Sequence, residues 1–106
     1  MAIDLNNPLS VRTNVRTAIQ TVLNEVLESH SVNFADISNH AISAVWKPTG
    51  INRRYFLSFL GRIGDHINRK LPGNVTLKIR SDMFKASMTF RDMLDKLSNL
   101  VGKLAT

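Results

Sequence analysis

The sequence predicts an all-α protein, a small bundle of three to four helices with a long first loop. Residues 11–28, 52–71 and 89–104 carry apolar side chains three and four positions apart, which is the spacing of an amphipathic helix. Proline and glycine close the connecting segments, at Pro48 and Gly50 and again at Pro72 and Gly73. Because the chain has 106 residues and 43% of them are apolar, we expect one domain, residues 1–106, with a small core.

The first predicted helix has a clear start signal. Asn7 is a favoured N-cap residue, and Pro8 fits the first helical position, where its missing N–H costs nothing. The apolar stripe that follows consists of Val11, Val15, Ile19, Val22, Leu23, Val26 and Leu27.

Residues 31–50 are predicted to form the long loop, with a short helix or strand in "HAISAVW". The apolar side chains of this loop are expected to attach it to the core; they are Phe34, Ile37, Ile42, Val45 and Trp46.

The second predicted helix has one apolar and one basic face. At 100° per residue, Arg54, Arg62 and Arg69 share the polar face with Asp65, and Pro72 ends the helix. The predicted apolar face consists of Phe56, Leu57, Phe59, Leu60, Ile63, Ile67 and Leu71.

The segment 75–80 alternates apolar and polar residues, which is the period of a β-strand. A strand needs a partner, and only "ISAVW" offers one in this chain. The pattern therefore predicts either a short strand or an extended loop that packs alternate side chains.

The last predicted helix begins with a capping signal. Thr89 and Asp92 have the spacing of a capping box, and Met88 and Met93 flank the cap as a hydrophobic staple does. The apolar stripe consists of Phe90, Met93, Leu94, Leu97, Leu100, Val101 and Leu104.

The net charge of +6 is unevenly distributed along the chain. Residues 1–50 hold three Lys and Arg against four Asp and Glu, a net charge of −1, whereas residues 51–106 hold eleven against four, a net charge of +7. This asymmetry indicates a basic face and an anionic partner, unless the charge serves solubility alone.

No pattern of catalytic or metal-binding residues stands out. The chain has no Cys, its three histidines lack the spacing of a helical metal site, and no glycine-rich phosphate loop or GxSxG motif occurs. Asp92 and Asp95 are better explained as acids at the start of a helix than as a catalytic pair. We therefore expect no enzyme, no cofactor and no metal. Without a signal-peptide pattern or a membrane-spanning run, a cytoplasmic location is expected.

The stretch "RRYFLSFLGRIGDHINRKLP" resembles the second helix of acyl carrier proteins in its apolar spacing and terminal proline. "VRTAIQTVLNEVLE" and "TFRDMLDKL" are similar to the first and last helices of that family. The resemblance implies a small helical bundle whose second helix begins at an Asp-Ser-Leu motif, where the serine carries phosphopantetheine. Here Arg53 occupies the serine position, "GINR" replaces Gly-x-Asp-Ser, and Ser58 has no preceding Asp. The resemblance therefore implies a carrier-like domain without the prosthetic group.

The arginines of the second helix are the predicted partner-binding residues. Arg53 and Arg54 stand at a helix start, where the macrodipole disfavours cations, so either an anion meets them or they are tolerated surface residues. Together with Arg62 and Arg69 they are predicted to bind an anionic ligand or an acidic protein.

The alternative prediction is a basic nucleic-acid-binding module. Tyr55 and Trp46 are its candidates for base stacking, and a membrane-surface role is disfavoured because the core needs the apolar faces. The phosphate-contacting surface of this alternative would be Arg54, Arg62, Arg69, Lys70, Lys78, Arg80 and Lys85.

Overall fold

The computed structural model describes residues 3–26, 33–42, 53–85 and 87–104. In this part of the chain it has no β-strand, which confirms the all-α class. The longest helix packs against the three others and so occupies the centre of the bundle. The helices are α1 (Pro8–Val26), α2 (Phe34–Ile37), α3 (Arg53–Lys70) and α4 (Phe90–Lys103), with a short 3₁₀ helix at Ser81–Met83.

Helix α1 begins at the predicted cap. The Asn7 Oδ1 accepts hydrogen bonds from the backbone N–H groups of Leu9 and Ser10, at 3.1 and 3.4 Å, and Pro8 is the first helical residue. The predicted end of this helix, residues 27–28, lies outside the described residues. The predicted stripe is buried at Val11, Val15, Ile19, Val22 and Leu23.

Helix α4 also begins as predicted. The Thr89 Oγ1 accepts a hydrogen bond of 3.1 Å from the backbone N–H of Asp92, and this satisfies a donor of the first turn. Met93 is buried and Met88 packs against the core on the other side of the cap. The predicted stripe is buried at Phe90, Met93, Leu94, Leu97 and Val101.

The apolar face of α3 is confirmed except at one residue. Leu57 is 38% exposed, so its predicted place in the core is wrong. At 100° per residue Leu57 lies about 90° from the middle of the stripe, which places it at the solvent edge. The residues of this face that are buried are Phe56, Phe59, Leu60, Ile63, Ile67 and, just beyond the helix, Leu71.

Aromatic rings join three of the helices. The Phe90 ring of α4 meets the rings of Phe34 and Phe59 edge to face, with centroids 6.3 and 6.4 Å apart. Edge-to-face pairs add a directional term to apolar burial. Phe90 therefore joins α2 and α3 to the start of α4.

The segment 75–80 is an extended loop and not a strand. Asn68 of α3 takes the place of a strand partner: the Leu77 N–H donates to Asn68 Oδ1 at 2.7 Å, and Asn68 Nδ2 donates to the Leu77 carbonyl at 3.1 Å. Leu77 is buried while Lys78 is exposed, so the alternation survives without a sheet. A Cβ on Gly64 would lie 3.3 Å from the Ile79 Cδ1, so the absence of a side chain at Gly64 allows this close approach.

The long loop contains a helix that the sequence did not predict, α2, upstream of "HAISAVW". Most of "HAISAVW" lies outside the described residues, as do Val45 and Trp46, so the short helix or strand expected there stays a prediction. Ile42 does not pair with segment 75–80. Its N–H donates to the carbonyl of Met88 at 2.9 Å, beside an isolated antiparallel bridge between Ala41 and Thr89. The loop is attached to the core by Phe34 and Ile42, which are buried, and Ile37, which packs against them.

Candidate functional site

Helix α3 begins with two arginines. Arg53 is its first residue and Arg54 its second, and the first turn contains no acidic residue. The side chain of Arg54 is exposed, whereas that of Arg53 lies outside the described part of the structure. The helix start therefore carries cations that no acidic residue of its own first turn offsets.

Three of the four predicted partner-binding residues form a line along the outside of α3. Arg54, Arg62 and Arg69 are exposed, and we call them the α3 arginine stripe. At a rise of 1.5 Å per residue, Arg54 and Arg69 lie about 22 Å apart along the helix. No small anion can contact both ends of the stripe, so only an extended partner can use it as one site.

Arg62 in the middle of the stripe already has a carboxylate partner. Its Nη1 lies 3.6 Å from the Glu25 Oε1, and the other Glu25 oxygen lies 3.1 Å from the His66 Nε2. These contacts join α1 to α3 at the surface, where such pairs contribute little to stability. Among the described residues, Arg54 and Arg69 have no carboxylate partner.

Segment 75–85 adds cations beside the stripe. Because Asn68 bonds to the backbone of Leu77, the exposed side chain of Lys78 lies next to the α3 turn that carries Arg69. The Arg80 Nη2 forms an exposed ion pair with the Asp82 Oδ2 at 3.0 Å. Seven cations were predicted for this surface; Lys70 is half-buried and the other six are exposed, and they are Arg54, Arg62, Arg69, Lys78, Arg80 and Lys85.

A second cationic surface was missed by the sequence predictions. A groove of about 450 Å³ lies between α1, α2 and α4 and is lined by Arg12, Arg16 and Arg91; we call it the arginine groove. The sequence held one signal for it, since Leu9 precedes Arg12 and Arg16 on the polar face of α1 at spacings of three and seven. Arg91 comes from a distant part of the chain, so only the fold brings the third arginine to this place.

The other polar residues considered from the sequence do not form a site among the described residues. Asp92 and Asp95 are exposed, and the Asp95 Oδ1 accepts from the Arg12 Nη1 at 2.7 Å. Ser58 is exposed on α3. Within the described residues, no three potential metal ligands of the His, Cys, Asp and Glu types are grouped together.

No helix in the described part of the chain is long and apolar enough to cross a membrane. Comparison with protein-family models, with curated proteins and with solved structures found no match to this chain. These comparisons therefore assign the chain to no family, and the proposal for its function rests on the exposed residues described above.

Proposed function

We propose that this protein is a non-catalytic helical domain that binds an acidic partner protein through the basic surface of α3. The observation that carries this proposal is the α3 arginine stripe together with Lys78, which lies beside its C-terminal end. Arg54 and Arg69 have no carboxylate partner among the described residues, so their charge is available to a partner. Complementary charge of this kind accelerates association and selects the partner.

The dimensions and the mixed charges of the surface favour a protein over other anions. A length of about 22 Å between Arg54 and Arg69 excludes a small ligand that spans the stripe. Asp65 is exposed on the same helix and Glu25 lies against Arg62, and such carboxylates repel a phosphate backbone. A protein surface with interspersed charges can match this pattern residue by residue.

The phenylalanines offer no exposed ring on which single-stranded nucleic acid could stack its bases, and the side chains of the stacking candidates Tyr55 and Trp46 lie outside the described part of the structure. Every phenylalanine in the described residues is buried in the core; they are Phe34, Phe56, Phe59, Phe84 and Phe90.

A carrier-like fold without a prosthetic group is consistent with this role. Arg53, which stands at the position of the modified serine in the resemblance to acyl carrier proteins, opens α3. Acyl carrier proteins dock on basic patches through an acidic second helix, whereas the corresponding helix here has a basic outer face. We infer that the domain keeps partner docking, with the charge reversed, and lacks the carried group.

Modification is tested by intact mass. The protein is co-expressed with a phosphopantetheinyl transferase, alongside an acyl carrier protein as the positive control. We expect no mass increase, because the Asp-Ser dipeptide is absent and Arg53 has no hydroxyl. An increase that matches phosphopantetheine in the parent and disappears in Ser58→Ala would restore a carrier role.

Partner binding is tested with poly-glutamate as the probe, by fluorescence anisotropy over a salt series. We expect binding at low salt that weakens as salt rises, because charges at a surface are screened beyond about 10 Å at 0.1 M ionic strength. The double substitution Arg54→Glu and Arg69→Glu should weaken this binding about tenfold or more. Equal affinity of parent and variant would reject the α3 surface as the site.

Nucleic-acid binding is the second candidate. The hydrogen bonds between Asn68 and the backbone of Leu77 are the observation that favours it, since they hold the segment that carries Lys78 against α3, and two elements can then offer phosphate contacts. A random-sequence DNA duplex is the probe. If this candidate is correct, log affinity falls steeply and linearly with log salt concentration. Arg69→Ala then reduces the magnitude of that slope by about one, which is the contribution of one phosphate contact. A duplex affinity that is far below that for poly-glutamate at the same salt would exclude it.

A further inference from the structure

The arginine groove has an apolar floor beneath its cations. Phe34 and Leu94 lie at the bottom and are 5% and 3% exposed, whereas Leu9 at the rim is 72% exposed. One exposed leucine is ordinary on a protein surface. Its position in a groove with three guanidinium groups is not ordinary, because it places an apolar contact within reach of fixed positive charge.

Two of the groove arginines are held in place. The Arg12 Nη1 donates to the Asp95 Oδ1 at 2.7 Å, and the Arg16 guanidinium lies over the Phe34 ring, 5.4 Å from its centroid. Stacking uses the face of a guanidinium and leaves the N–H donors at its edge available for a carboxylate. Arg16 is thus oriented before any ligand arrives.

The Phe34 ring, which is the platform under Arg16, is itself held in place. The backbone N–H of Phe34 donates to the Gln20 Oε1 at 2.6 Å, which joins α2 to α1, and the Phe34 ring packs on Phe90. A rigid platform lowers the entropic cost of binding, because fewer side-chain conformations are lost when the ligand arrives.

Arg91 supplies the third cation of the groove. The backbone N–H of Arg91 donates to the Ser38 carbonyl at 2.8 Å, so the start of α4 is held against the end of α2. Its side chain is exposed and, among the described residues, contacts no carboxylate. Among the described residues, both Arg16 and Arg91 therefore lack a carboxylate partner.

We propose that the arginine groove binds an acidic amphipathic segment of a partner protein, with an apolar side chain on Leu9 and carboxylates on Arg16 and Arg91. The groove already binds one carboxylate in this way, that of Asp95 on Arg12. The site shares no residue with the α3 arginine stripe, so it stands independently of the function proposed above.

Other occupants fit the groove less well. A nucleic-acid base would need an open aromatic face, but Phe34 is 5% exposed and its ring is covered by Arg16. A small apolar ligand needs a site that buries most of its surface, whereas this groove is partly open to solvent. An acidic amphipathic helix leaves its outer face in water and needs only one apolar contact with flanking charge.

The test uses a synthetic peptide about fifteen residues long, with Leu at helical spacing between Glu residues, and a shuffled peptide of the same composition. We expect the patterned peptide to bind and the shuffled one to bind at least about tenfold more weakly. Arg16→Glu with Arg91→Glu should weaken binding of the patterned peptide about tenfold or more, and Leu9→Ser about threefold or more.

The matched control reverses two charges elsewhere. Arg80→Glu with Lys85→Glu changes the net charge by the same amount at exposed positions outside both the groove and the α3 arginine stripe, and should leave peptide affinity within about twofold of the parent. Arg91→Glu alone is included because that side chain is exposed and no described carboxylate pairs with it, so the variant should fold. Its fold is checked by circular dichroism, and it should still lose part of the affinity.

Three results would overturn the proposal: no binding of the patterned peptide, equal binding of the shuffled peptide, or equal loss in the two double variants. A DNA duplex that binds more tightly than the peptide and is released by Arg16→Glu with Arg91→Glu would also overturn it and assign the groove to nucleic acid. The poly-glutamate experiment tests the α3 surface, and the patterned peptide tests the groove. Either proposal can therefore fail while the other stands.

Discussion

The α3 arginine stripe and the arginine groove are both cationic, yet their side chains are held differently. In the stripe, Arg54 and Arg69 are exposed on one helix and have no carboxylate partner among the described residues. In the groove, Arg12 is paired and Arg16 is stacked, and both point to a common space. Spread charge steers an extended partner, whereas converging charge with an apolar floor orients a specific segment.

The largest expected effect tests the rotation of α3 that places its arginines outside. Leu60 is 3% exposed, and Leu60→Ala should lower the free energy of unfolding by about 2–5 kcal/mol because it leaves a cavity. Leu57→Ala is the control on the same helix and should cost less than about 1 kcal/mol, since Leu57 is 38% exposed. Urea denaturation measures both; similar losses would mean that the helix faces are assigned incorrectly and the stripe with them.

The next effect tests how Lys78 comes to lie beside the stripe. Asn68→Ala removes both hydrogen bonds to the backbone of Leu77 and should lower stability by about 1–3 kcal/mol. Amide exchange at Leu77 should accelerate. Thr76→Ala is the control, because Thr76 is exposed in the same segment, and it should cost less than about 0.5 kcal/mol. Unchanged exchange in Asn68→Ala would show that segment 75–80 is held in some other way.

Substitutions at the start of α3 are expected to have a smaller effect on stability, and to raise it. Arg53→Ala with Arg54→Ala should raise the free energy of unfolding by about 0.3–1 kcal/mol per arginine, because cations oppose the macrodipole at a helix start. The same variant should bind poly-glutamate more weakly. Chemical denaturation and anisotropy on one sample measure both quantities. Loss of stability with unchanged binding would mean that the two arginines serve the fold and not a partner.

The smallest expected effect compares a held arginine with a solvated one. A double-mutant cycle with Arg12→Ala and Asp95→Ala should give a coupling of about 0.2–1 kcal/mol, as is usual for exposed ion pairs. The same cycle on Arg54 and Asp65 should give a coupling near zero, because the structure records no contact between these two described side chains. Equal couplings would remove the distinction between the two surfaces.

Local signals in the sequence were sufficient for the helices but not for the contacts between them. Asn7, Pro8 and Thr89 act within a few residues of themselves, so their roles as helix starts could be read directly. The alternation in 75–80 is also local, but whether it becomes a strand depends on Asn68, whose amide competes for the backbone of Leu77. No pattern within the segment could reveal that competitor.

The two candidate surfaces also differ in whether they depend on local signals or on contacts between helices. The stripe repeats along one helix, so its spacing alone predicted a common face for Arg54, Arg62 and Arg69. The groove needs α1, α2 and α4 together, and the ring of Phe34 becomes a platform for Arg16 only after α2 has packed. Sites on one element are within reach of sequence reasoning, whereas sites between elements require the fold.

The most direct test of the central proposal is a map of the amides that respond to an acidic chain. Poly-glutamate carries no apolar side chain, so it should engage the spread charge of α3 and have little affinity for the apolar floor of the groove. In a two-dimensional NMR titration, we expect the largest shift changes at Arg54, Arg69 and Lys78, reversible by added salt. Changes confined to α1, α2 and α4, or no changes at low salt, would contradict the proposal that α3 is the partner-binding surface.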